Sequence, residues 1–291
     1  MIRPHLQDDA LLEDIRLARS QPGLHLWWLG QSGFLLQHEG HHLLFDPYLS
    51  DSLTRKYSGT DKPHVRITER VIAPERLDFI DVVTSSHNHT DHLDAETLNP
   101  LFRANPDVKF LLAEANREFA VDRLKVEKTW PIGIDSGQRI QLGGYIIHAV
   151  PAAHPHIDRN NRGQHHYLGL IVEIGEWKVY HSGDTMVYDG MAELIRDFNV
   201  DVALLPINGN DPTRRVAGNL DGAEAAVLAF NIGAKLAIPC HFEMFEFNTA
   251  SPTEFEDTAR KLGQPFRTLR SGERCTVGSE QRNHPNPMAH P

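Results

Sequence analysis

The 291-residue sequence predicts an α/β fold of two similar halves, with two sheets packed face to face and helices outside. Three observations carry this reading. Phe34-Leu-Leu-Gln37, a Glu39-Gly40 turn and His42-Leu-Leu-Phe45 form a strand–turn–strand unit that stops at Asp46-Pro47. Residues 167–174, a Gly175-Glu176 turn and residues 177–180 repeat that plan and end at Ser182-Gly183-Asp184. After each meander the chain alternates strand-like and helix-like segments, with no short-period repeat, low-complexity block or internal linker.

The elements follow in order. Residues 8–19 place Leu11, Leu12, Ile15 and Leu17-Ala18 at helical spacing between charges, which predicts an amphipathic helix. From Gly23 the texture changes to short apolar runs cut by Gly turns, beginning with His25-Leu-Trp-Trp-Leu29. Residues 79–84 predict a buried strand running into Ser85-Ser86-His87. A helix follows with Asp94 as N-cap and Glu96 in the first turn, where the helix dipole favours an acid. Strands are expected at 109–112 and 145–150, with a helix at 115–124. The second half continues with a strand at 201–205, an Ala-rich helix at 221–230 and a strand at 235–238. The expected organisation is an N-terminal helical segment (1–23), one main domain (24–275) and a Pro/Asn-rich tail (276–291), whose composition predicts disorder and which holds His284 and His290.

Composition excludes several classes. Lys plus Arg is 29 against 39 Asp plus Glu, a formal net charge of −10. Long nucleic acids are bound by displacing counterions with Lys and Arg, so none is expected as a partner. Two cysteines, Cys240 and Cys275, exclude a disulfide scaffold. No apolar run approaches the ~18 residues of a membrane span, and acids stand where a signal peptide would build its apolar core. A cytoplasmic protein is expected, with a small-molecule substrate and a homo-oligomer left open. Histidine, at 18 residues, is the anomaly.

Its concentration in His87-Asn88-His89-Thr90-Asp91-His92, directly after a predicted buried strand, points to metal chemistry. A tight turn there aims imidazoles and a carboxylate into one space, and a polar turn rich in histidine by chance is the minor alternative. His154, Asp184 and His241 each occupy the same kind of place, the loop leaving an apolar strand. Strands in register would bring all of them to one edge. Seven ligands exceed the needs of one ion, so two sites are expected: His87, His89 and His154 in one, Asp91, His92 and His241 in the other, with Asp184 bridging. Two divalent ions, Mn²⁺ or Zn²⁺, are the cofactors this implies; with no thiolate among the ligands, geometry and supply choose between them. Two such ions sharing a hydroxide imply hydrolysis.

The His-x-His-x-Asp-His motif, a distal His, a Gly-Asp and a final His together resemble the metallo-β-lactamase superfamily, whose four-layer αββα sandwich matches the two-half plan. The resemblance covers residues 24 to about 275. Within the superfamily the sequence is most similar to the L-ascorbate-6-phosphate lactonase family. The similar stretches are Trp28-Leu-Gly-Gln-Ser-Gly-Phe34, Tyr180-His-Ser-Gly-Asp184, Asp201-Val-Ala-Leu204 and Ile238-Pro-Cys-His-Phe242, with Asn248 beyond. The resemblance implies a manganese-dependent enzyme that opens a phosphorylated lactone. Residues 49–76 and 157–164 depart from that family's pattern. It also implies that Asp46 is a carboxylate supporting the first motif, with a plain Asp-Pro turn as the equal alternative, and that Gln31 faces the metals.

Other residues are weighed on their own chemistry. Strand alternation turns His181 away from Tyr180, toward a role behind the ligands or in the core. Asn208, Arg214 and Arg215 stand in a loop after a predicted strand, where arginine would hold an anionic substrate, although a solvated surface pair is the plainer reading. Arg55 and Lys56 are weaker candidates of the same kind. His41-His42 and His165-His166 read as surface or turn residues, and Cys240 as core. The expected function is a metal-dependent hydrolase using a metal-bound hydroxide, a lactonase acting on a phosphorylated or otherwise anionic sugar lactone, with Asp91 orienting the hydroxide and taking its proton. The alternative is a phosphodiesterase acting on a small cyclic nucleotide or phospholipid head group. A non-catalytic metal-binding or redox protein is disfavoured, because the ligand set is complete and no flavin-binding domain fits.

Overall fold

The computed structural model describes residues 1–278. The first half comprises α1 (Asp8–Ala18), β1 (Leu24–Gly30), β2 (Gly33–His38), β3 (His41–Phe45), α2 (Ser52–Lys56), β4 (Val82–Ser85), α3 (Ala95–Ala104), β5 (Lys109–Ala113), α4 (Arg117–Leu124) and β6 (Ile132–Ile134). The second comprises β7 (Arg139–Leu142), β8 (Tyr145–Pro151), β9 (Leu168–Ile174), β10 (Trp177–His181), α5 (Met191–Arg196), β11 (Val202–Pro206), α6 (Gly222–Asn231), β12 (Leu236–Cys240) and α7 (Thr253–Leu262). The last strand, β13 (Arg274–Val277), returns to the first half and pairs antiparallel with β1.

Two sheets result, ordered β13-β1-β2-β3-β4-β5-β6 and β12-β11-β10-β9-β8-β7. In each, antiparallel strands give way to parallel ones: β3 to β4 and β5 in the first, β10 to β11 and β12 in the second. Alternation along β1 sorts its side chains onto two cores. Leu24, Leu26 and Trp28 face the second sheet, while Trp27 and Leu29 join Leu11, Ile15, Leu98, Leu101 and Ala120 under α1, α3 and α4. Both faces are therefore covered, which explains near-continuous apolar strands. Met191, Ile195, Ala225, Leu228 and Phe255 from α5, α6 and α7 cover the other side of the second sheet. The architecture is the expected four-layer α/β sandwich. Among the described residues no helix is long and apolar enough to cross a membrane.

Local chemistry explains the helix starts. The Asp94 side chain accepts from the Glu96 amide, and Asp221 with Glu224 forms a full capping box at α6. Some expectations need correction. The strand expected at 79–84 begins only at Val82, since Asp81 turns its carboxylate back to the His42 amide at 2.8 Å. The helix expected from 115 opens as a 3₁₀ turn, Glu114–Asn116, before α4. The stretch read as a tail begins inside β13, and its remainder, residues 279–291 with His284 and His290, lies outside the described residues. His165 and His166 are not plain surface residues. His165 Nδ1 lies 2.9 Å from Asp135 Oδ1 and His166 Nδ1 3.0 Å from Asn116 Oδ1, so they fasten the 155–166 loop to the first half.

His42 is likewise buried, edge-on to Phe79 at 4.8 Å. Burial, against the pull of Asp81, lowers its pKa from 6.5 to about 4. An unfolded His42 takes up a proton near pH 6.5 that the folded one refuses until about pH 4, so this site costs stability as pH falls through that window. His42→Leu removes the cost. Denaturant unfolding of variant and wild type should shift by about 2 kcal/mol in the variant's favour between pH 7.5 and pH 5; parallel pH profiles would show that His42 is not the titrating group.

Candidate metal centre

The carboxyl ends of β3 and β4 in one sheet, and of β8, β10 and β12 in the other, meet at one edge of the sandwich. The loop after β4 closes on itself through His92 N to His89 O (3.1 Å) and Leu93 N to His89 O (2.8 Å). This folds His87, His89, Asp91 and His92 toward a common space. His154 leaves β8, Asp184 leaves β10 through Gly183, and His241 leaves β12, its amide donating to Gln31 O at 2.9 Å. Gly183 has φ +60°, and a Cβ there would meet Leu168 O at 2.7 Å and Ser86 Cβ at 2.9 Å. Only glycine lets Asp184 approach the β4 loop so closely.

Beneath this loop Asp46 is fully buried. It accepts from Thr84 Oγ1 (3.0 Å), from the Ser86 amide (3.0 Å), from Ser86 Oγ and from His92 Nδ1 (2.7 Å). Those four donors saturate a carboxylate. Ser86 Oγ, having donated to Asp46, accepts from His87 Nδ1 at 3.0 Å. Asp46 thus fixes the orientation of two imidazoles, one directly and one through a hydroxyl. Burial opposes its ionisation, but these partners hold its carboxyl below the usual range. His154 is fixed in the same manner by Nδ1 donating to Gly218 O at 2.8 Å.

With Nδ1 occupied on His87, His92 and His154, each Nε2 faces the central space. His87 Nε2, His92 Nε2 and Asp184 Oδ1 are buried without a hydrogen-bond partner. Ligand atoms of His87, His89, His154 and Asp184 lie within 4.8 Å of one another, as do those of Asp91, His92 and His241. Asp184 stands between the groups: Oδ2 is 3.6 Å from His154 Nε2 and 3.5 Å from His241 Nε2, and Oδ1 is 3.3 Å from His92 Nε2. His241 Nε2 lies 3.4 Å from Asp91 Oδ2. Most of these separations are long for hydrogen bonds, and they match the ~3.3–3.6 Å edge between ligands that surround one ion at about 2.0–2.2 Å. Such a donor set fits a divalent first-row ion.

Electrostatics agree with the geometry. Burial and neighbouring imidazoles lower the pKa of His87, and they bring His89 to about 4, leaving both rings neutral with lone pairs to offer. Burial alone would raise Asp91 and Asp184, yet His92 and His241 hold both well below the usual carboxylate range. Burial would lower His241, but Asp184 and Asp91 raise it to about 9. Two buried carboxylates demand positive charge, supplied by protons or by a cation.

Above the cluster opens a cleft of about 360 Å³. Gln31 and Arg215 line it; Gln31 Nε2 donates to Asp91 Oδ2 at 2.8 Å. Arg215 pairs with Asp61. Asn208 and Arg214 are not part of its lining, contrary to the sequence expectation. Arg214 donates to Asn248 Oδ1 (2.9 Å) and Asn208 O (2.8 Å), and the Asn208 side chain is shared between Asn248 and Asn219, so these groups tie two loops together behind the site. His181 stacks on Phe45 at 4.8 Å, donates Nε2 to Ser32 O at 2.8 Å and accepts from the Gly183 amide, supporting the backbone on both sides of the cluster. Cys240 is buried in the core between the sheets. The sequence reading passed over Tyr57, Lys62, His64, Phe119 and Arg123, all in the cleft wall, and Tyr167, whose ring lies 5.3 Å from that of His87. They come from loops and a helix with no motif of their own.

Comparison with known proteins gives the class first. The beta-lactamase superfamily domain profile matches residues 41–242. A UPF0173 metal-dependent hydrolase of Opitutus terrae is 31% identical over 259 residues, covering 87% of this chain and 100% of that protein. One of Thermoplasma acidophilum is 30% identical over 241 residues, covering 82% and 92%. Igni18, a metallo hydrolase from Ignicoccus hospitalis, superposes with a TM-score of 0.63 at 24% identity, covering 88% and 98%. An isothiocyanate hydrolase from Delia radicum gut bacteria gives 0.68 at 16% identity, covering 88% and 99%. The chain belongs to the metallo-β-lactamase superfamily and, within it, to the UPF0173 family of metal-dependent hydrolases. These relatives are described more coarsely than the lactonase family that the motifs resemble.

The Asp46 network makes a direct prediction. Asp46→Asn keeps the shape but loses the charge that faces His92, and Asp46→Ala leaves His92 Nδ1 and the Ser86 amide without an acceptor. Metal affinity, measured by competition with a chelator, should fall about 10–100-fold in Asp46→Asn and further in Asp46→Ala; wild-type affinity in both would show that the orientation of His92 does not depend on Asp46.

Proposed function

We propose that this metal-dependent hydrolase acts on a small anionic ester, with a phosphorylated or otherwise anionic sugar lactone as the substrate class. The observation that carries the reading is the convergence of His87 Nε2, His92 Nε2 and Asp184 Oδ1, buried and unpartnered, beneath a cleft lined by His89, Asp91, His154, Asp184 and His241, whose wall bears Lys56, Lys62, Arg123 and Arg215 in a chain of net charge −10. His87, His89 and His154 would hold one divalent ion, and Asp91, His92 and His241 a second, with Asp184 shared. Mn²⁺ or Zn²⁺ so bound supplies a water nucleophile that ionises near neutral pH and a Lewis acid for the developing oxyanion.

The chain's own groups do the rest. Gln31 holds Asp91 through the 2.8 Å bond to Oδ2, so its carboxylate meets the attacking water in one orientation. Asp91 accepts the water's proton and returns it to the ring oxygen as the lactone opens. The cations of the wall draw in a substrate whose charge the rest of the acidic surface repels. A cleft of about 360 Å³ suits a monosaccharide-sized molecule. The same wall suits a phosphodiester, so a small cyclic nucleotide or a phospholipid head group is the alternative substrate.

Chelation should abolish turnover and re-addition of metal restore it. Asp91→Asn should weaken metal binding at the second site, and with excess metal supplied kcat should still fall by about 100-fold or more. Asp184→Ala should lose both metal and activity; full metal loading with near-normal turnover would remove Asp184 from the centre. Acid release from ascorbate 6-phosphate at kcat/KM of roughly 10⁴ M⁻¹s⁻¹ or above would support the lactonase reading. Its absence in metal-loaded protein that cleaves a cyclic nucleotide would favour the phosphodiesterase.

A further inference from the structure

Three cations of the cleft wall, Lys56, Lys62 and Arg123, lack a carboxylate partner among the described residues, and two of them stand against the loop that carries the candidate ligands. Lys56 Nζ donates to Thr90 Oγ1 at 3.1 Å and lies 5.1 Å from the Tyr57 ring centre. Arg123, from the last turn of α4, sits 4.3 Å over Phe119. Its Nη1 donates to Asn88 O (2.9 Å) and Leu93 O (3.1 Å), while Nε and Nη2 make no hydrogen bond to a described residue. Arg215 differs, since Asp61 answers its charge, and Lys62 is held away from the ligand loop by the Arg215 carbonyl. An acidic chain leaves such cations without carboxylates at the mouth of its own site only at a cost in electrostatic energy, and an anionic ligand would recover it.

We infer that Lys56 and Arg123 clamp the phosphate group of the substrate. The inference rests on the anionic-substrate reading above and deepens it. The two side chains bring two positive charges, matching a phosphate monoester, and the free edge of the guanidinium offers two N–H donors to its oxygens. Both are anchored to the loop that carries the candidate ligands: Lys56 through Thr90, between His89 and Asp91, and Arg123 through the carbonyls of Asn88 and Leu93. The separation between the clamped phosphate and the reacting bond is therefore set by one rigid loop. That ruler selects among anionic esters by the distance from phosphate to carbonyl.

Inorganic phosphate is the probe, titrated by calorimetry into the metal-loaded protein. Lys56→Ala and Arg123→Lys should each raise its Kd about tenfold or more with metal content unchanged. Lys56→Ala touches the loop only through Thr90, so it decides the question even if Arg123→Lys also weakens metal binding. An unchanged phosphate Kd in Lys56→Ala would overturn the clamp and leave phosphate to the metals alone. The substrate reading fails separately: if wild-type protein opens a neutral lactone as efficiently as its phosphorylated counterpart, the anionic-substrate proposal falls, and the phosphate Kd still judges the clamp. In the supporting case the variants also raise KM for the phosphorylated substrate far more than they lower kcat.

Discussion

The site is organised around a carboxylate that never reaches the cleft. A buried ionised Asp46 would be prohibitively unfavourable without donors on all its lone pairs. The chain provides them from Thr84, Ser86 and His92, all within the strand end and loop that carry the ligands. Satisfying Asp46 therefore dictates the path of the loop, and the path of the loop dictates where His87, Asp91 and His92 point. The imidazoles of His87, His92 and His154 are committed through Nδ1 before any ion arrives, so little of their conformational entropy remains to be lost on binding.

The two halves use one device to opposite ends. Asp46 follows β3 and Asp184 follows β10, strands that occupy comparable places in their meanders. Protein donors close off Asp46 entirely. Asp184 instead keeps Oδ1 without a partner and reaches imidazoles of both ligand groups at 3.3–3.6 Å. An internal near-repeat thus yields one structural and one open carboxylate, and Gly183 makes the difference by letting the second strand end press against Ser86.

Charge is distributed with similar economy. The chain as a whole is acidic, yet the cleft wall collects Lys56, Lys62, Arg123 and Arg215 over a floor of buried carboxylates and imidazoles. Negative charge at the floor attracts cations, and positive charge at the wall attracts an anion. The aromatic residues Tyr57, Phe119 and Phe245 supply apolar surface within the same wall.

Local sequence carried much of this. The strand–turn–strand–Asp repeat and the alternation after it made the two-sheet architecture legible, because a strand's face pattern and a turn's glycine are local properties. Spacing within 87–92 and the strand-end positions of His154, Asp184 and His241 pointed to one cluster, because side chains leaving parallel strand ends have few places to go. Pairing of β13 with β1, the closure of Asp46 by four donors and the return of Arg214 to Asn248 were not legible, since each joins residues whose proximity is created by folding. The cleft wall was legible only in part: Arg215 and Lys56 were candidates from their own chemistry, whereas Arg123, in a helix with no motif, was not, and folding alone brings the three to one cleft. Sequence alone determined the class of fold and the residue types gathered for metal chemistry, both encoded in short-range pattern. Which imidazole nitrogen faces the centre, and which cations line the cleft, only the tertiary structure decided, because those depend on hydrogen bonds and contacts between distant segments.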